Sequence, residues 1–170
     1  MKTTLKFVVA IVFAALCSSV SAQNLKLAHI NIEELIVSMP EYDSASVRLE
    51  KFGMKLQKEI EDLQVELNRK QDYFEKNRAN MTDIVRQSNE QDLMAMYQRV
   101  QAYQQQAQEE FQLEREKLMQ PVIEKANKAI ETVAKEQGVL YVLNEQVLHF
   151  KAAGTLDLLP AVKKHLGINK

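Results

Sequence analysis

The chain reads as an α+β protein in which a long α-helical coiled-coil hairpin is inserted into a small β body. Three observations carry this reading. From Glu41 to Gly138 the sequence is packed with Glu, Gln, Lys, Leu, Met and Ala, and only Gly53 and Pro121 interrupt it. Those residues lose little rotamer freedom in a helix. Within it, Tyr42, Ala45, Leu49, Phe52, Leu56, Ile60, Leu63, Leu67 and Phe74 step mostly by threes and fours, and so do Leu93, Met96, Val100, Tyr103, Ala107, Phe111, Leu118, Val122 and Ala126. Each series is one stripe of a helix. Short β-prone runs flank the stretch on both sides, which makes the body discontinuous.

The two stripes mirror each other. Folding the chain back near Val85 places Phe52 opposite Leu118, Leu63 opposite Ala107, Leu67 opposite Tyr103 and Phe74 opposite Met96. Ser88-Asn89-Glu90-Gln91 fits a capping box. The turn is then expected in residues 81–87, whose β-branched members weaken a helix. A single uninterrupted helix is the alternative, because no hard breaker lies there. Arms of about 40 residues run roughly 60 Å, too long for one globule, so they must project.

The ends of the chain set its compartment. Lys2 and Lys6 precede the apolar run from Phe7 to Leu16, and Val20-Ser21-Ala22 offers small residues for cleavage. This is the pattern of a secretory signal cut near Ala22, and the apolar run is shorter than the roughly 20 residues of a membrane span. The mature chain is expected to be exported. Cys17, the single cysteine, leaves with the signal, so neither disulfide nor thiol chemistry is expected. Loss of Lys2 and Lys6 takes 22 basic residues to 20 against 23 acidic ones, a net charge of −3. That balance speaks against a nucleic-acid partner held through phosphates.

The body divides into residues 23–40 and 122–170, and the arm into residues 41–121 with its tip near 82–88. Leu25 to Ile30 suits a strand. Asn31 caps a short helix bearing Ile32, Leu35, Ile36 and Met39, and Pro40 ends it and opens the ascending arm. Pro121 is expected to kink or break the descending arm. A helix then runs to Gly138, followed by a central strand containing Leu140 and Val142 and a further strand from Val147 to Phe150. Asp157 caps a last helix through Leu166, closed by Gly167. About fifty body residues bury too little surface alone, and oligomerisation is the expected remedy. Its strand residues would be Leu27, Ile30, Leu140, Val142 and Leu148.

At this point the chain resembles the Skp/OmpH family of periplasmic chaperones over essentially its whole mature length. The segments that carry the resemblance are residues 26–31 leading into Met39-Pro40-Glu41-Tyr42, and Leu118-Met119-Gln120-Pro121-Val122 opening the return. Val133 to Gly138 before Tyr141-Val142-Leu143, and Leu156-Asp157-Leu158 near the end, complete it. The resemblance implies a homotrimer with a shared β-barrel and three projecting helical arms around a cavity. It also implies an ATP-independent holdase for unfolded outer-membrane β-barrel proteins. Some members carry cationic arm tips that meet anionic lipid; here Lys76, Arg78 and Arg86 alternate with Glu75, Asp83 and Glu90, so only weak membrane-surface contact is expected. A structural trimeric coiled-coil spacer or envelope tether is the alternative function.

No catalytic constellation, cofactor motif or metal site is expected. His29, His149 and His165 lack ligand spacing, the four glycines are isolated, and the carboxylates alternate with Lys or Arg as on a solvated helix face. Asn80-Met81-Thr82 matches a glycosylation acceptor. The client-binding candidates are Met81, Ile84, Val85, Met94 and Tyr97, since methionine suits surfaces that accept many sequences. Met96 and Tyr103 belong instead to the seam between the arm helices.

Overall fold

The computed structural model describes residues 26–168. The expected signal segment with Cys17, residues 23–25 and residues 169–170 lie outside the described residues. The chain runs β1 (Leu27–Ile30), α1 (Ile32–Val37), α2 (Pro40–Asn77), a 3-10 turn (Arg78–Asn80) and α3 (Asp83–Glu136). It continues through β2 (Tyr141–Asn144), a second 3-10 turn (Glu145–Val147), β3 (Leu156–Asp157) and α4 (Leu159–His165). It is mostly helical with one small sheet.

Local chemistry sets most of these boundaries. Asn31 accepts the amide of Glu34 at 3.1 Å and starts α1. Met39 is extended, as a residue before proline must be, and Pro40 occupies the first turn of α2, where its missing amide costs nothing. Gly138 and Gly167 take positive φ after α3 and α4, the left-handed geometry that ends a helix cheaply only with glycine. Asp157 accepts the amide of Leu159 at 2.9 Å and holds the start of α4.

The three strands form a parallel sheet in the order β2-β1-β3. β1 is therefore the central strand, which corrects the expectation that Leu140 and Val142 occupy it. Leu140 precedes β2, its amide donating to the Lys26 carbonyl. Residues 147–150 are not a strand; the third strand is Leu156–Asp157, paired with Ala28 and His29. Pairing decides here, not propensity: Val147 and Phe150 are strongly exposed and find no strand to join. Parallel pairing requires long crossovers, and the whole hairpin is the crossover from β1 to β2.

Successive strand residues face opposite sides. Ala28 and Ile30, with Val142 and Leu156, pack into a core built with Leu35, Met39, Leu158, Val162 and the last turns of α3 from Val122 to Ala134. The other face carries Leu27, Tyr141 and Leu143, all exposed, around the buried His29. His29 Nδ1 has no hydrogen-bond partner and lies 3.9 Å from Glu145. Glu145 is also bonded to Lys151, which holds its carboxyl below the usual range.

Two further expectations need correction. α3 runs unbroken through Pro121. The proline removes the amide that would bond the Lys117 carbonyl, but Lys117 is exposed and water can serve that oxygen. The tip is also earlier than expected. Thr82, not Ser88, is the N-cap of α3, accepting the amide of Val85, and Ile84 and Val85 lie in the first turn. Ser88 sits where the helix is already formed, so its capping side chain has no free amide to satisfy.

Candidate functional site

The arm is the antiparallel pair α2 and α3, which by its 38 residues of α2 extends about 57 Å at 1.5 Å per residue. Its seam holds Leu56, Leu67, Met96, Val100 and Ala107, all buried. Leu67 packs with Met96 and Val100 rather than with Tyr103, and Phe111 lies on Gly53. The register is thus shifted towards the tip by roughly one to two turns, as the earlier tip requires.

Polar ties cross the seam. The Tyr103 hydroxyl donates to the Glu59 carboxylate, and that partner pushes the phenol up to about 12. Being raised above its ordinary value near 10, this group supports the fold below pH 10 and loses that contribution as pH rises through about 12. Near the base, Lys125 bonds Glu41 and holds its carboxyl below the usual range; this tie is present above the ordinary carboxylate pKa and lost as pH falls through the lowered value.

The seam leaves several large apolar side chains outside. Met94 is 65% exposed and Tyr97 46% exposed, beside Leu93 and the Gln98 and Gln101 amides, in a shallow groove of about 310 Å³. Tyr97 anchors its hydroxyl on Gln71 of α2 at 3.0 Å while half its ring faces solvent. Ile84, at 82% exposed, and Val85 stand out at the start of α3, and Met81 is half-buried just before them. Among the tip cations, Arg86 pairs with Asp83 and Arg78 lies 5.8 Å from the Phe74 ring. The structure therefore divides the candidates into a tip group, Met81, Ile84 and Val85, and a separate outer-arm pair, Met94 and Tyr97.

The proposed oligomerisation residues are divided too. Leu27 and Leu140 are exposed, Val142 and Leu148 are half-buried, and Ile30 is wholly enclosed. Ile30 thus offers no surface to a partner; it packs the chain's own core. Leu148 lies in the loop after the second 3-10 turn, not in a strand. The pattern of short apolar runs did not reveal that Tyr141 and Leu143 share the exposed sheet face with Leu27, because parallel register sets that face. A mid-arm groove of about 990 Å³ beside Gly53 and Ala107 also went unseen; the lone glycine in a helical stretch was its only signal. Among the described residues no three His, Cys, Asp or Glu side chains could hold a metal ion, and no helix is long and apolar enough to cross a membrane.

A family model described as "Outer membrane protein (OmpH-like)" matches residues 26–166. The chain belongs to the OmpH-like family. The match spans body and arm together, so the OmpH-like assignment rests on the whole described architecture and not on one motif. The OmpH-like fold is also seen in a crystal structure of a candidate outer membrane chaperone (OmpH-like) from Caulobacter crescentus, with a TM-score of 0.72 at 16% identity over 83% of each chain. At that identity the likeness speaks for the fold. No curated protein sequence matches.

Proposed function

We propose that this OmpH-like chain is an exported, ATP-independent holdase that binds unfolded outer-membrane β-barrel proteins in the periplasm between the arms of a homotrimer. The observation that carries the reading is the set of large apolar side chains left on the outside of a projecting hairpin, Ile84 and Val85 at its tip and Met94 and Tyr97 on the outer arm. A hairpin that served only as a spacer would gain nothing from exposing them, and they would promote aggregation. Binding comes from many weak contacts whose effect is multiplied by enclosure. Release needs no fuel, because each contact is individually weak and the receiving membrane holds the client better. The tip adds at most weak membrane-surface contact.

The body motivates the trimer. Leu27, Tyr141 and Leu143 form an exposed apolar sheet face, and β2 has a free edge within the chain. Both are liabilities in an isolated chain. Sedimentation equilibrium at micromolar concentration is expected to give a single trimeric species, and Leu143→Asp on that exposed face is expected to shift it to smaller species. A folded monomer for the unaltered protein would end this assembly.

The client reading is tested on Met94→Ser/Tyr97→Ser. Both side chains are exposed, so melting by circular dichroism is expected to stay within a degree or two, while a labelled unfolded barrel protein dissociates a few-fold faster. Unchanged release at unchanged melting would remove both residues from the client surface.

A further inference from the structure

Midway along the arm the seam is left open. Gly53 and Ala107 supply almost no side chain where α2 and α3 face each other, and the Phe111 ring lies 3.1 Å from where a Cβ on Gly53 would stand. The resulting groove, about 990 Å³, is floored by Leu56, Ala107 and Phe111 and rimmed on α3 by Gln104, Gln108 and Gln112. Glu109 at its edge is the one charged lining residue. From Val100 to Gln108 no residue is charged, in a chain of which 26% are. A solvated helix surface ordinarily gathers Lys and Glu pairs. Here it carries amides instead: Gln104, Gln108 and Gln112 are exposed along the groove.

A glutamine amide both donates and accepts, so it can meet either the N–H or the C=O groups that line an extended strand. A charged rim could meet only one kind. The floor would take the side chains on one face of such a strand, every second residue. A charged side chain entering would lose hydration and find almost no counter-charge. The rest of the arm surface, where Lys and Glu alternate, is for that reason a poor occupant, which disfavours a second copy of this chain. We infer that the mid-arm groove binds an extended, uncharged polypeptide segment, with alternate apolar side chains on its floor and main-chain amides on its glutamine rim. The source of that segment rests on the holdase reading: strands of a membrane barrel are short, alternate in polarity and keep charge off their lipid face.

The test uses the purified protein with a photo-crosslinking residue at position 108 or, as a control, at exposed Lys128 in the body. The probe is an end-capped fluorescent peptide of about ten residues, the length of a membrane strand, alternating valine and serine. A second peptide replaces the serines with glutamate. The neutral peptide is expected to crosslink at 108 and not at 128, and to bind about tenfold more weakly to Gln104→Lys/Gln108→Lys. The acidic peptide is expected to bind only that variant. Circular dichroism should not change, because both substitutions are exposed. Equal binding of the neutral peptide to both proteins, or no crosslink at 108, overturns the inference. If an unfolded barrel protein is kept soluble while the peptide ignores the groove, the groove fails and the holdase reading stands. If the peptide crosslinks at 108 while the barrel protein aggregates, the groove stands and the holdase reading falls.

Discussion

An Ile30→Asp protein will not form a folded body. Ile30 is wholly enclosed at the end of the central strand, packed among residues from α1, α3 and α4. Aspartate there removes a large apolar side chain, at about 2–5 kcal/mol, and adds a carboxylate with no cation to receive it. The buried charge alone costs several kcal/mol. Together these approach or exceed the roughly 5–15 kcal/mol that a domain has in reserve. The loss should appear as a missing cooperative melt and a mixture of small species in size-exclusion chromatography. Much helix would remain, because the distal seam does not depend on Ile30. An unchanged melt and oligomer would show that β1 is not the centre of the body.

Leu67→Asp gives the second large effect, confined to the other end of the molecule. Leu67 is almost fully buried against Met96 and Val100, with Leu63 and Leu93 beside them. This cluster is separate from the body core, and no other buried cluster holds the outer arm among the described residues. A charge placed in it costs several kcal/mol, and a two-helix contact has no other apolar area with which to offset that. The outer halves of α2 and α3 should come apart, with amide exchange there faster by about a thousandfold while β1 and the adjoining turns of α3 keep their protection. Equal protection in both proteins would mean that Leu67 is not a seam residue.

The helices were legible in the sequence because their stripes repeat over many turns, and each repetition strengthens the period. The register was not. Whether Leu67 meets Tyr103 or Met96 depends on where the chain turns, and the capping box at Ser88 pointed to a later start of α3 than Thr82 sets. Thr82 prevails because Asn77 and Asn80, poor helix formers, bracket the 3-10 turn just before it. The sheet was the least legible part. A two-residue strand, Leu156–Asp157, has no periodicity to read, and only its pairing with Ala28 and His29 makes it a strand. Val147 to Phe150 had the better propensity and no partner. The exposure of Met94 and Tyr97 follows from their offset from the seam stripe, whereas the Gly53 groove depends on which residue stands opposite, and hence on the register.

On the proposed function, the arms keep an unfolded membrane protein in solution. The direct measurement is light scattering after a urea-unfolded outer-membrane barrel protein is diluted into buffer without nucleotide, with and without this protein. Scattering is expected to be suppressed at about one client per trimer, and added lipid vesicles are expected to release the client to fold. Scattering that rises at the same rate whether or not the protein is present, with the protein itself folded, would contradict the proposed function.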